Sequence, residues 1–187
     1  MCIRDRSRAI EEALLRISIP YRIYGGLRFY ERLEIKNAIA YLKIIFNNND
    51  NPSFERSISN PTRGVGEKTL GKIRQTAQKY NISYIKASAK LIDEGSISGR
   101  GGSGLRDYLE FVAGCKSFIE ENSLSDLMEL IIKESGLYSY HAKEAGEKGK
   151  TRTENLEELI TATKNFEQSV KEDKTNTEIA ENYLDVI

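Results

Sequence analysis

Apolar residues recur at helical spacing through most of this chain. Between Glu31 and Phe46, for example, they fall at positions that share one face of a helix. The polar run Asn47–Asn51, followed by Pro52, ends that segment. The pattern therefore predicts a mainly α-helical fold. The same spacing predicts further helices at residues 53–59, 68–80, 105–118, 124–134 and 153–166, and from about residue 177.

The first part of the chain has a different pattern. Arg8–Ile17 is amphipathic and predicts a short helix, and Ile19–Gly26 has the composition of a β-strand ended by two glycines. One strand cannot form a sheet, so this strand is expected to be an orphan. Farther along, two stretches rich in glycine and polar residues, Glu94–Gly104 and His141–Arg152, predict loops.

Charge is balanced overall but unevenly distributed. The 187 residues, enough for one domain with a core, carry 28 basic and 28 acidic side chains. Residues 61–90 hold seven basic side chains against one acid, whereas residues 154–187 hold nine acids against three lysines. A basic middle and an acidic end can orient a polyanion, although the net charge alone does not indicate a nucleic-acid-binding protein.

Cysteine and histidine are too few for a disulfide framework or a metal site. Cys115 has apolar neighbours and is expected in the core, and the single histidine, His141, is expected on the surface of a polar loop. The sequence contains neither a signal-peptide pattern nor an apolar run of membrane-spanning length. We interpret the chain as a soluble cytoplasmic protein without a membrane partner.

Two glycine motifs imitate nucleotide-binding loops. Residues 66–72 fit GxxxxGK, but Ile73 follows where a hydroxyl would bind magnesium, and Lys68–Lys72 is expected to be helical. Residues 99–104 fit GxGxxG, but no strand precedes them. The carboxylates of residues 154–158 suit the first turns of a solvated helix. The sequence therefore predicts no catalytic residue, no cofactor site and no metal site.

The turn Gly64-Val65-Gly66 is the strongest candidate for a binding site. It lies between two predicted helices, an arrangement typical of a helix-hairpin-helix unit. Without side chains on both glycines, backbone N–H groups and the next helix N-terminus can approach a phosphate. A tight turn that needs glycine only for its geometry is the alternative. The predicted DNA-binding residues are Thr62, Arg63, Gly64, Val65, Gly66, Lys68 and Thr69.

Long strings around this turn resemble one family. The stretch from Ser7 to Leu70, which includes GGLRFYERLEIKNA and NPTRGVGEKTL, is similar to the UvrD/Rep/PcrA group of superfamily 1 DNA helicases, as is GEKGKTRTENLEELITATKNF at residues 146–166. UvrD-type members are the most similar. The resemblance covers about Ser7 to Phe166 in the same order, and a Gly-Ile-Gly turn of the family matches residues 64–66.

The resemblance implies a division of the chain. Residues 1–26 would be the tail of motor subdomain 2A, with residues 1–6 non-native, and residues 27–187 would be a truncated helical accessory subdomain 2B. In this family, 2B holds the duplex at a junction with single-stranded DNA and rotates relative to the motor subdomains. The parent would be an ATP-dependent 3′-to-5′ helicase of DNA repair or replication.

The resemblance also implies which parts are missing. The family's phosphate-binding loop, magnesium-binding acids and arginine finger have no counterpart in this sequence, so we expect ATP and Mg²⁺ in the parent and no cofactor or ATPase activity in this chain. Two other interpretations remain open at this point: a stand-alone helix-hairpin-helix DNA-binding module, and a protein-interaction domain whose acidic end contacts a partner or masks the basic residues.

Overall fold

A computed structural model describes residues 27–170 and 174–187. The predicted helix Arg8–Ile17 and strand Ile19–Gly26 lie outside these residues. Within the described ranges the secondary structure is helical and contains no strand, which confirms a mainly α fold. The helices are α1 (Leu27–Tyr30), α2 (Leu33–Phe46), α3 (Asn51–Ser59), α4 (Glu67–Tyr80), α5 (Tyr84–Asp93), α6 (Gly99–Glu121), α7 (Leu124–Glu134), α8 (Leu137–Ala142), α9 (Glu147–Ser169) and α10 (Asn176–Val186).

Helix α2 lies at the centre of the fold. It packs against α3, α6, α7 and α9, and its residues Ile35, Leu42, Ile44 and Ile45 are fully buried. One continuous apolar core extends from Phe29 to residues of α10. Helices α4 and α5 pack against each other, α5 also contacts α3 and α6, and α4 contributes Leu70, Ile73 and Ala77 to the core. The turn between α3 and α4 borders this core through the half-buried Val65.

Several helix starts follow sequence signals. The Asp50 carboxylate accepts a hydrogen bond from the Ser53 backbone N–H at 3.0 Å, which caps α3. The predicted capping box of Ser123 and Asp126 is present at α7.

Cys115 is buried as predicted, and burial raises the pKa of its thiol to about 12. At neutral pH the thiol is therefore protonated and is no nucleophile.

The prediction of a loop through residue 104 was wrong, because α6 begins at Gly99. Its glycines serve close packing. A Cβ atom on Gly104 would lie 2.0 Å from the carbonyl oxygen of Arg63, and one on Gly101 would lie 3.0 Å from that of Gly64. Only the absence of side chains lets the backbone of residues 63–64 lie this close to the start of α6.

The prediction of a loop at His141–Arg152 was also wrong. His141 lies in α8, and α9 already begins at Glu147, so only residues 143–146 connect the two helices. The short connection is possible because Gly149 has no Cβ atom, which would lie 2.4 Å from the carbonyl oxygen of Glu144. A glycine-rich, charged composition indicated a loop, whereas packing between neighbouring helix ends determines the structure.

His141 is buried, so the prediction that it lies on the surface of a polar loop was wrong. Its side chain is 1% exposed, and Nδ1 lies 2.7 Å from Glu144 Oε1. Arg152 also donates to Glu144 Oε1. These hydrogen bonds hold the pKa of the Glu144 carboxyl below its ordinary value, with the His141 contact as the largest cause. The three side chains join α8 to the first half of α9.

None of the helices within the described residues is long and apolar enough to cross a membrane.

Candidate nucleic-acid interface

The glycine turn, residues 60–66, connects α3 to α4, and its residues Thr62, Gly64 and Gly66 are exposed while the other four are half-buried. Gly64 adopts a left-handed conformation with φ of 74°, which favours glycine. Gly66 is the N-cap of α4 with φ of −94° and ψ of 179°, a conformation open to any residue. No atom lies within 4 Å of a Cβ built on Gly66. Gly64 is therefore needed for the fold, whereas Gly66 leaves the space in front of α4 open.

The start of α4 exposes uncapped backbone donors. The Gly66 carbonyl accepts hydrogen bonds from the N–H groups of Thr69 (2.9 Å) and Leu70 (3.0 Å). The N–H groups of residues 67 and 68 come before these two. Gly66 has no side-chain oxygen that could accept hydrogen bonds from them, and no side chain caps the helix. First-turn N–H groups and the positive end of the helix dipole favour an anion at this place.

Arg63 does not point toward solvent. Its Nη1 donates to the carbonyl oxygens of Ser57 (3.2 Å) and Pro61 (3.0 Å), and its Nη2 donates to that of Ser135 at the end of α7 (2.7 Å). The guanidinium also lies 5.4 Å from the ring centroid of Tyr41 and 5.5 Å from that of Tyr108. In this conformation Arg63 stabilises the turn rather than presenting its charge at the surface.

A groove of about 300 Å³ lies at the surface where the glycine turn packs against the start of α6. Arg100 and Ser103 are exposed along it, and Arg100 Cγ would lie 3.0 Å from a Cβ on Gly64. The first turn of α4 is also close to the start of α6, since a Cβ built on Gly101 would lie 3.7 Å from Thr69 Oγ1. Asp107 is the acidic residue of the groove. The lining residues are Thr62, Arg63, Arg100, Ser103, Gly104 and Asp107.

The other predicted site residues have different environments. Thr62 and Lys68 are exposed beside the two glycines. Val65 is half-buried against the core, and Thr69 is half-buried, with Oγ1 3.7 Å from a Cβ built on Gly101. Sequence reasoning left Arg100 and Ser103 out of the site because their segment was expected to be a loop. Glycines three residues apart in a helix are the signal that indicates a close backbone approach.

Two of the acids near the turn, Glu55 and Glu67, are paired with arginine, whereas Asp107 is exposed in the groove. Glu67, at the first position of α4, pairs with Arg74 Nη1, and the same arginine binds Glu55 through two hydrogen bonds of 2.6 and 2.8 Å. The hydrogen bonds from Arg74 hold the pKa of the Glu55 carboxyl below its ordinary value. Both carboxylates are thus at least partly neutralised by a cation, which lessens their repulsion of a phosphate.

The GxxxxGK residues 66–72 lie almost entirely within α4, as predicted, so they do not form a phosphate-binding loop between a strand and a helix. In the part of the chain that the structure describes, no group of three histidine, cysteine or carboxylate side chains has the arrangement of a metal site.

Comparison with known proteins identifies relatives over most of the chain. It is 45% identical over 161 residues to DNA helicase II of Escherichia coli (strain K12), a match that covers 86% of this chain and 22% of that relative. It is 35% identical over 162 residues to the ATP-dependent DNA helicase PcrA of Leuconostoc citreum, covering 87% of this chain and 22% of that protein. The PcrA of Bacillus subtilis (strain 168) is 34% identical over 170 residues, covering 91% and 23%.

The chain spans less than a quarter of the length of these relatives. A family model described as the UvrD-like helicase C-terminal domain matches residues 3–98, which is just over half of the chain and includes the whole glycine turn and α4. Together with the relatives, this match shows that the chain belongs to the UvrD-like helicase C-terminal domain family.

Proposed function

We propose that this chain is part of an ATP-dependent 3′-to-5′ DNA helicase and holds the DNA duplex for it. Family membership supports a helicase as the parent, because the relatives are named as DNA helicases. Residues 1–26 would belong to motor subdomain 2A and residues 27–187 to accessory subdomain 2B. ATP, Mg²⁺ and the other motor subdomains would then act in the parent, in DNA repair or replication.

The observation that carries the proposal is the exposed, uncapped start of α4 behind Gly66. A phosphate placed there would accept hydrogen bonds from first-turn N–H groups, and Lys68 would supply a positive charge beside it. Arg100 and Ser103, across the groove, would contact a neighbouring phosphate. Such contacts recognise the DNA backbone and not its sequence, as expected for a protein that moves along DNA.

The test is fluorescence anisotropy of the purified chain with a labelled duplex that ends in a single strand, at several salt concentrations. Gly66→Glu places a carboxylate in front of α4 without a steric clash, since the structure leaves that space open. We expect this variant to lose at least tenfold in affinity, and wild-type binding to weaken with salt as phosphate contacts require.

The matched control is Gly114→Glu. Gly114 is exposed in α6, no atom lies within 4 Å of a Cβ built there, and the substitution changes the net charge by the same amount. It should leave affinity unchanged. Equal binding by wild type and Gly66→Glu, both folded by circular dichroism, would show that the turn needs glycine only for its geometry and does not bind DNA. No binding by wild type would refute a duplex-holding role for this chain.

The proposed partners are double-stranded DNA at a single-strand junction and the remaining helicase subdomains. A protein-interaction role for the acidic end has less support, because several of its acids have local partners. Glu157 accepts a hydrogen bond from Tyr138 at 3.0 Å, and Glu167 accepts one from Ser125 at 2.6 Å. These contacts explain the acids as parts of the fold.

A further inference from the structure

One exposed strip along α4 carries only lysine and glutamine side chains. Residues 68, 72, 75 and 79 are separated by four, three and four positions, so at 100° per residue they lie within about 60° of one another around the helix. All four side chains are exposed. The opposite face of α4 holds the buried residues Leu70, Ile73 and Ala77. We call the exposed residues the α4 stripe: Lys68, Lys72, Gln75 and Lys79.

Each side chain of the α4 stripe has N–H groups that can donate hydrogen bonds, and none is an acid. Two carboxylates of the α4–α5 pair have other partners: Glu67 pairs with Arg74, and Glu94 pairs with Lys90 at 2.7 Å. Lys72 donates one hydrogen bond to the Ser96 carbonyl at 2.8 Å, which leaves two of its three N–H donors. Among the described residues, no carboxylate lies within 4 Å of the Lys68, Lys72 or Lys79 ammonium.

The α4 stripe begins at the glycine turn and continues away from it. Lys68 lies in the first turn of α4, and Lys79 is the penultimate residue of the helix. At a rise of 1.5 Å per residue, these two residues are about 16 Å apart along the helix axis, a length of about five base-pair steps of duplex. A backbone held at the turn can therefore continue past the other stripe residues.

We propose that the α4 stripe is a second contact for the phosphate backbone of the duplex held at the glycine turn. This inference rests on the proposed function. Lys72 and Lys79 pair with phosphates beyond the turn, Gln75 donates its amide N–H between them, and the contact lengthens the gripped segment without reading bases. A flexible ammonium suits this role, because it follows a moving backbone as a point charge.

The test compares the salt dependence of duplex binding by anisotropy for three proteins. The double variant Lys72→Gln/Lys79→Gln removes two stripe charges, and the control Lys148→Gln/Lys164→Gln removes two exposed charges from α9. We expect the slope of log K against log salt to fall by about 1.8 in the stripe variant, since each phosphate contact contributes about 0.9, and to stay unchanged in the control.

A gain of charge gives an independent result that damage to the fold could not imitate. Gln75→Lys should steepen the salt slope by about 0.9. Equal salt slopes for wild type, the stripe variant and Gln75→Lys would overturn the inference. The inference would also be overturned if the α9 control lost as much salt slope as the stripe variant, because that would show a general effect of charge.

The same titrations separate this inference from the proposed function. If Gly66→Glu weakens binding but the stripe variants do not, the turn holds DNA and the stripe does not contact it. If wild type does not bind duplex, both proposals are refuted. Loss of binding by Gly66→Glu, together with the expected slope changes at Lys72, Gln75 and Lys79, supports both.

Discussion

At the scale of single residues, Arg63 has the chemistry of a phosphate ligand but is engaged within the protein. Its guanidinium donates to carbonyls of the α3–α4 segment and of Ser135, and so ties the glycine turn to the end of α7. Two tyrosine rings flank it. An exposed site in this region therefore depends on Arg63 for its shape rather than for direct contact.

Arg63→Ala should destabilise the protein. The substitution leaves three carbonyl acceptors without their charged partner, and hydrogen bonds to charged groups contribute about 1.5 to 3 kcal/mol, so we expect a loss of about 2 to 3 kcal/mol in the free energy of unfolding. Urea denaturation followed by circular dichroism measures it. Lys68→Ala, at an exposed neighbour, should change stability by less than about 0.5 kcal/mol. Equal stability of the two variants would contradict the structural role of Arg63.

At the scale of elements, the start of α6 depends on contacts from outside the helix. Its glycines have a low intrinsic preference for helix, yet residues 99–104 are helical because the Arg63–Gly64 backbone packs against Gly101 and Gly104. Sequence reasoning considers neighbours along the chain and so predicted a loop. In contrast, α2 and α7 were predicted well, since their apolar spacing and the Ser123 cap are local signals.

Contacts from outside the helix also hold the start of α9 in place. Asn155 donates a hydrogen bond of 2.7 Å to the buried carboxylate of Glu34 on α2, and Arg152 Nε lies 3.7 Å from the same carboxylate. Two of the strings that carried the family resemblance, one that ends at residue 38 and one at residues 146–166, therefore contact each other inside the fold through Glu34 and Asn155. Their pairing could not be predicted from spacing, because the residues are more than a hundred positions apart.

A pair of glycine substitutions within α6 tests the packing argument. Gly104→Ala places a Cβ 2.0 Å from the Arg63 carbonyl oxygen and should cost about 1 to 3 kcal/mol of stability, as overpacking does. Gly114→Ala meets no atom within 4 Å and should stabilise α6 by about 0.5 to 1 kcal/mol. Thermal unfolding measures both. If Gly104→Ala also stabilised the protein, the glycines would not be required for close approach.

At the scale of the whole molecule, the net charge is zero, but basic side chains are grouped on one part of the surface. The glycine turn lies beside the start of α6 and leads into the α4 stripe, and two nearby carboxylates are paired with Arg74. Sequence alone located the turn and its basic neighbours. It could not show that Arg63 turns inward or that Arg100 and Ser103 lie beside the turn, because both depend on how α6 packs.

Hydrogen exchange of the backbone amides, measured by mass spectrometry with and without duplex DNA, tests the account most directly. We expect DNA to slow exchange in residues 62–69 and at the start of α6, and to leave residues 143–150 unchanged. The Gly66→Glu variant should lose this protection. Protection of other segments, with residues 62–69 unaffected while DNA is bound, would contradict the claim that the glycine turn holds the phosphate backbone.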